Sequence, residues 1–239
     1  MGADGIRSRV RRQLLGDGDP VYLGSTIWRG IVDGNEISLL RGTVVNWIGR
    51  GSEFIASYLT DNRIYWAAVT KEPRGEKSGP GSHQKDVMQR FASWVEPVPA
   101  LIAGTEDSAI LRNDMYDRAP VRRWSGGRVT LVGDAAHPMT PNAGQGACQA
   151  LEDAVALGDS FRRTSNLNEA FGLYESRRLR RANRVVAMAR QGTRATQLEN
   201  PLLCALRDSL AGMVAGRLFL KTLDGILAAS PQEAGSHHV

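Results

Sequence analysis

Between Pro20 and about Thr70 apolar and polar positions alternate over short runs. "VYLGSTIWRGIV", "TVVNWIG", "EFIASYL" and "RIYWAAVT" are rich in β-branched and aromatic residues, and Asp-Gly-Asn, Gly-Arg-Gly and Thr-Asp-Asn separate them. Short runs of this kind, bounded by turn residues, predict an antiparallel sheet. The pattern then changes. "KEPRGEKSGPGSH" reads as a polar loop, and Val87, Met88, Phe91 and Trp94 fall on one face of a helix predicted from His83 to Trp94. A short helix is expected near Ala100-Leu101-Ile102, and "ILRNDMYDRAP" returns as an extended segment ending at Pro120.

The second half is predominantly helical. "QGACQALEDAVALGDSFRR" predicts a helix with Ala147, Leu151, Ala154, Val155 and Leu157 turned inward, on the rule that the apolar stripe faces the core. "NLNEAFGLYESRRLRRANRVVAMARQGTRA" predicts a long helix capped by Asn166 or Asn168. "PLLCALRDSLAGMVAGRLFLKTLDGILAA" is helical and amphipathic in patches, and "SPQEAGSHHV" is expected to fray. The class is mixed α/β, of the α+β kind, and no internal repeat is visible.

Composition narrows the possibilities. The chain has 239 residues, 42% hydrophobic and 23% charged, which suits one large domain or two small ones with a real core. No apolar run approaches the roughly 20 residues of a membrane span. The N-terminus lacks the apolar region of a signal peptide, so a cytoplasmic protein is the simplest expectation. Cys148 and Cys204 form no spaced cluster, and neither a disulfide framework nor a zinc site is indicated. The net charge is +5. Much of it sits in "ESRRLRRANRVVAMARQGTR", where Arg177, Arg178, Arg180, Arg181, Arg184, Arg190 and Arg194 share the run with Leu179, Val185, Val186 and Met188. An amphipathic helix with a solvated face, some of its arginines bracing carboxylates, is the simpler reading. A nucleic-acid module is disfavoured because no stacking aromatics interleave the arginines.

The chemistry concentrates in "RVTLVGDAAHPMTPNAGQG". A strand expected over Val129–Val132 delivers Gly133-Asp134 at its end, a Pro-broken loop follows, and Gly144-Gln145-Gly146 opens a helix. A carboxylate at the end of such a strand points into the crevice where α/β folds bind ligands, and it accepts hydrogen bonds from polyol hydroxyls. The helix start offers unpaired N–H groups and the positive end of a dipole, worth about half a charge. A flavin fits both requirements. By itself Gly-Asp after a strand also reads as an ordinary turn with a helix cap.

The longer string "GDAAHPMTPNAGQGACQALEDA" resembles the second flavin motif of the FAD-dependent aromatic hydroxylases, the monooxygenases of p-hydroxybenzoate hydroxylase type. "GADGIRSRVRRQL" is similar to that family's Asp-Gly motif, and "ILRNDMYDRAPVRRWSGGRVTLVGD" has its spacing from an Asp-Arg-x-Pro element to the flavin strand. "VYLGSTIWRGIV" and "TKEP" resemble the zeaxanthin-epoxidase branch. The resemblance spans roughly residues 2–200. It implies a partial, Rossmann-like FAD domain in segments 1–19 and 119–160, a substrate-binding sheet over 20–118 and C-terminal helices over 161–239. Asp134 and Gly133 would meet the ribityl chain, and Pro141, Asn142, Gly144, Gln145 and Gly146 would line the isoalloxazine. Asp4, Gly5 and Arg7 would lie near the pyrophosphate.

The implied activity is insertion of one oxygen atom from O2 into an apolar or aromatic, polycyclic or isoprenoid substrate, with NAD(P)H as reductant. No side-chain acid or base is implied for it. His137 reads as a structural hydrogen-bonding residue, Cys148 as a core thiol, and His237 and His238 as tail residues. Glu152 and Asp153, neighbours that cannot share a helix face, are expected to pin the helix to nearby backbone. The Trp-x-Trp-x-Ile of flavin halogenases is absent. So is the Gly-x-Gly-x-x-Gly unit that cradles ADP in this family, so the chain reads as the second part of a monooxygenase. The alternative is a non-catalytic fragment that does not retain FAD. The strand at Val129–Val132 is then expected to lack neighbours.

Overall fold

The structure is a computed structural model, described for residues 1–35, 37–75, 82–141 and 144–211. The chain is mixed α/β and divides into two units. One comprises Met1–Val21, Tyr116–Ala195 and the described residues from 205 onward; the other comprises Tyr22–Met115 and Thr196–Cys204.

The second unit is built on the sheet. Strands β1 (Val21–Asp33), β2 (Val44–Ile48), β3 (Glu53–Tyr58), β4 (Arg63–Lys71) and β5 (Leu111–Asp117) lie in the order β2-β3-β4-β1-β5. β2, β3, β4 and β1 pair antiparallel in succession. Alternation puts Trp28 and Val32, Phe54 and Ala56, and Ile64, Trp66 and Ala68 on one face. Helices α2 (His83–Phe91) and α3 (Val98–Ala103) cover that face with Val87, Phe91, Val98, Leu101 and Ile102.

The aromatic side chains give this core its geometry. Phe54 stacks on Trp66 with centroids 5.4 Å apart and meets Phe91 edge-on at 5.5 Å. The two fully buried indoles of this core have acceptors: Trp66 Nε1 donates to Thr105 Oγ1 and Trp28 Nε1 to Thr70 Oγ1, both at 2.9 Å. Helix α2 stops at Phe91, short of the predicted Trp94. The Trp94 N–H instead donates to the Phe91 carbonyl at 3.0 Å, an i→i−3 bond that tightens the chain out of the α-helix.

The first unit packs α1 (Arg9–Leu15), the two-stranded pair β6 (Ser125–Gly126) and β7 (Val129–Thr130), α4 (Gly146–Arg163) and α5 (Leu167–Thr196). Its core holds Trp124, Leu131, Ala135, Ala136, Ala156, Leu157, Phe171, Tyr174 and Ala182. The cap of α5 is Asn166, whose side-chain oxygen accepts from the N–H groups of Asn168 and Glu169 at 3.0 and 3.2 Å.

Three expectations are corrected here. The strand before Gly133-Asp134 has neighbours: β6 pairs with β7, and Gly2 forms a parallel bridge to Leu131. The Gly2 N–H donates to the Thr130 carbonyl at 2.8 Å, and the Val132 N–H to the Gly2 carbonyl at 3.0 Å. On α4 the buried residues are Gln149, Asp153, Ala156, Leu157 and Ser160, while Leu151 and Val155 are 69% and 48% exposed. Ala147 and Ala154 are also exposed, so of the predicted inward set only Leu157 turns in. Cys148 is exposed and not a core thiol, because it lies on that outer side. The physical reason is an ion-pair partner on another helix, which helical periodicity cannot register. No helix among the described residues is long and apolar enough to cross a membrane.

Candidate cofactor site

The site grows from one turn. After β7 the chain reaches Gly133 with φ 57°, a left-handed conformation that favours glycine, and makes a single 3-10 turn over Gly133–Ala135. This turn is clamped from two sides. The Gly133 N–H donates to Asp153 Oδ2 at 2.9 Å, and a Cβ at Gly133 would lie 3.3 Å from Ala150 Cβ, so the turn packs against the first half of α4. Arg11 of α1, with 0% exposure, donates to the carbonyls of Ala136 at 2.8 Å and Ala135 at 3.2 Å, and to the Asp17 carboxylate at 2.6 Å. Asp134, between the two clamps, is exposed and has no hydrogen-bond partner among the described residues.

Helix α4 starts without a side-chain cap at Gln145, and no acidic residue stands in its first turn. The N–H groups of Gly146, Ala147 and Cys148 find no acceptor among the described residues. Gly144 has φ 61°, a Cβ added there would have nothing within 4 Å, and its N–H donates to the Pro141 carbonyl at 2.8 Å. Free N–H groups and a helix dipole attract an anionic or carbonyl edge.

The Asp-Gly segment joins this region through α1. Asp4 spends its carboxylate on the start of that helix, accepting from Ser8 Oγ at 2.5 Å, Arg9 N–H at 2.8 Å and Val10 N–H at 3.3 Å. The Ser8 hydroxyl, and then the backbone donors, hold its carboxyl below the usual range. Gly5 takes φ 76°, and the Arg7 guanidinium lies 4.6 Å from the centroid of the Tyr116 ring. Arg118 of the Asp-Arg-x-Pro element donates to the Ile6 carbonyl at 2.7 Å and the Gly18 carbonyl at 2.9 Å. Its partner in that element, Asp117, accepts from Arg190 Nε of α5 at 2.5 Å.

Behind the turn lies a buried ionic network. Asp153, 0% exposed, accepts from His137 Nε2 at 2.6 Å and Arg178 Nε at 2.8 Å besides the Gly133 N–H. Burial pushes its carboxyl up, and the bonds from His137, Arg178 and Gly133 more than reverse this, leaving it below the usual range. Glu152 pairs with Arg178 and Arg181; burial raises its carboxyl and the two arginines bring it below its ordinary value. Arg178 also donates to the carbonyl and side chain of Gln149 at 3.1 and 2.8 Å. His137 is buried against Trp124, ring centroids 5.2 Å apart, which agrees with a structural hydrogen-bonding role.

Of the predicted site residues, Gly133, Asp134, Gly144, Gln145 and Gly146 therefore fall on a turn and a helix start joined through α4. Asp4, Gly5 and Arg7 are attached to the same unit through α1 and Arg118. Pro141 precedes the helix start, and Asn142 lies outside the described residues, as do His237 and His238. Sequence reasoning quoted the segments that hold Arg11 and Arg118 but gave neither side chain a role, because the carbonyls they satisfy lie far along the chain. The expected pin to nearby backbone holds for Asp153 through the Gly133 bond but not for Glu152, which pairs with Arg178 and Arg181, and the expectation that some arginines of the run brace carboxylates is met by Arg178 on both acids.

This donor set fits the ribityl and pyrimidine parts of a flavin: among the described residues, a carboxylate without a partner for hydroxyls and N–H groups without an acceptor for a carbonyl edge. The profile of the family described as "FAD binding domain" matches residues 1–189. The chain belongs to this FAD-binding family. It is 42% identical over 215 residues to aurachin C monooxygenase/isomerase of Stigmatella aurantiaca, covering 90% of this chain and 56% of that protein. It is 36% identical over 172 residues to the chloroplastic zeaxanthin epoxidase of Solanum lycopersicum, covering 72% and 26%. Among solved structures it matches Klebsiella pneumoniae HpxO complexed with FAD and uric acid, with a TM-score of 0.87 and 31% identity over 95% of this chain and 59% of that one. The chain thus spans little more than half the length of the first of these relatives and about a quarter of the second.

Proposed function

We propose that this chain binds FAD and belongs to an FAD-dependent monooxygenase that uses NAD(P)H to insert one oxygen atom from O2 into an aromatic, polycyclic or isoprenoid substrate. The observation that carries the reading is the free Asp134 carboxylate, held on a doubly clamped turn against the helix whose first N–H groups are uncapped. Asp134 and Gly133 would take the ribityl chain. Pro141, Asn142, Gly144, Gln145 and Gly146 would face the ring's carbonyl edge, and Asp4, Gly5 and Arg7 would lie toward the pyrophosphate. Bound FAD supplies the redox chemistry, and the protein supplies position and exclusion of water. The relatives' names support oxygen insertion as the reaction class. They differ in what they act on or bind, so no single substrate is carried over. On this reading the sheet over residues 20–118 is the substrate-binding part.

The test is retention of flavin. The purified chain is mixed with FAD, desalted, and its visible spectrum and flavin fluorescence are recorded beside those of Asp134→Ala. The wild type is expected to retain a quenched flavin. The variant should bind roughly 10-fold or more weakly, as loss of a charge-assisted hydrogen bond requires. A colourless wild type would favour the non-catalytic alternative. With FAD retained, consumption of NADH or NADPH is measured next.

A further inference from the structure

We infer that Asp153 is a positioning residue of the cofactor site: through the Gly133 N–H it sets Asp134 in a fixed relation to the start of α4 before FAD arrives. The inference rests on the FAD reading above. A fully buried carboxylate is costly unless its lone pairs are matched, and Asp153 has all its donors in place. Arg178 anchors it from α5, and His137 packs on Trp124 behind it. Only the bond to Gly133 reaches toward the exposed surface, and that residue precedes Asp134 directly.

Gly133 is free to leave its positive φ, so an unclamped turn would have to be ordered at the moment of binding. Asp153 sits on the same helix whose N-terminus carries the free N–H groups. One side chain therefore links the two halves of the donor set, the hydroxyl acceptor and the N–H donors. Its removal should alter both how tightly FAD binds and what the bound ring senses.

Asp153→Asn is compared with the wild type and with Leu157→Ala. Leu157 is buried one helical turn further along α4 and makes no bond to the turn. Three readouts are taken: melting temperature without FAD, FAD affinity by flavin fluorescence, and the visible spectrum and reduction potential of the bound flavin. Asp153→Asn should weaken FAD binding by roughly 10- to 100-fold and shift the spectrum and potential. Leu157→Ala should lower the melting temperature while leaving affinity within about 3-fold and the potential unchanged. Equal affinity in Asp153→Asn and wild type, or equal losses in both variants, overturns the inference and leaves the FAD reading standing. A wild type that binds no FAD overturns both. Should Asp153→Asn fail to fold, amide exchange of the FAD-free wild type decides. Protection of Gly133 like that of the α4 core supports the inference, and exchange as fast as an open loop overturns it.

Discussion

Gly30 stands directly across from Trp66 in the β1–β4 pair, on the face that the aromatic core occupies. A Cβ added there would meet Trp66 Cε2 and Cζ2 at 2.7 Å and Nε1 at 2.8 Å. Carbon atoms rest about 3.5–4.0 Å apart, so roughly 1 Å of overlap has to be relieved. The indole cannot simply turn away, because it is fully buried, stacked on Phe54 and tied to Thr105 Oγ1. Relief by shifting the ring stretches that buried hydrogen bond, and relief by shifting the strands strains the pairing; overpacking of this kind costs about 1–3 kcal/mol. Restricting the unfolded chain returns about 0.4–1 kcal/mol. Gly30→Ala should therefore destabilise by about 1–1.5 kcal/mol. Urea unfolding followed by tryptophan fluorescence measures it, with Trp66 itself as reporter. Gly172→Ala is the counterpart: it lies in α5 with nothing within 4 Å of the new Cβ. It should be stabilising by about 0.5–1 kcal/mol. Trp66→Phe in the Gly30→Ala background should recover part of the loss, a coupling of about 1 kcal/mol. A Gly30→Ala midpoint equal to wild type, or losses that simply add in the double variant, would refute the packing argument.

Two further outcomes concern the buried acids and the two thiols. Asp153 and Glu152 both titrate below their ordinary values of 3.8 and 4.5. Groups with depressed values in the folded state contribute stability that is complete above about pH 4.5 and disappears as pH falls through the lower folded values. Melting temperatures across this acid range should drop steeply for the wild type and less steeply for Asp153→Asn; parallel curves would contradict the network's role. The two thiols should differ as well. Cys148 is exposed and Cys204 is buried with its thiol toward the Leu198 carbonyl, so a thiol reagent should label one cysteine in the native protein and both after denaturation. Rapid labelling of both in the native state would refute that burial.

Much of the candidate site was legible because its signals are local. Gly133-Asp134 after a strand, and Gly144-Gln145-Gly146 before a helix, are conformational statements that neighbouring residues make by themselves: a positive φ at Gly133, and a helix start with no capping side chain. The sheet was legible for a similar reason. Alternation over "RIYWAAVT" and "EFIASYL" assigns Trp66 and Phe54 to one face whatever covers it.

What the sequence determined by itself, then, is the order of the main elements, the Gly133-Asp134 turn and the family. Tertiary structure alone decided which side of α4 is inside. Its apolar stripe, Leu151 and Val155, is exposed, and its carboxylate Asp153 is buried. The apolar-inward rule fails here because Arg178, twenty-five residues further along the chain, together with His137 and the Gly133 N–H, compensates the desolvation of that carboxylate. Arg11 is the same case, since the Ala135 and Ala136 carbonyls it satisfies lie more than a hundred residues away. Periodicity records how a residue relates to its near neighbours along one element. The partners that make a buried charge stable come from other elements, and only the folded chain brings them together.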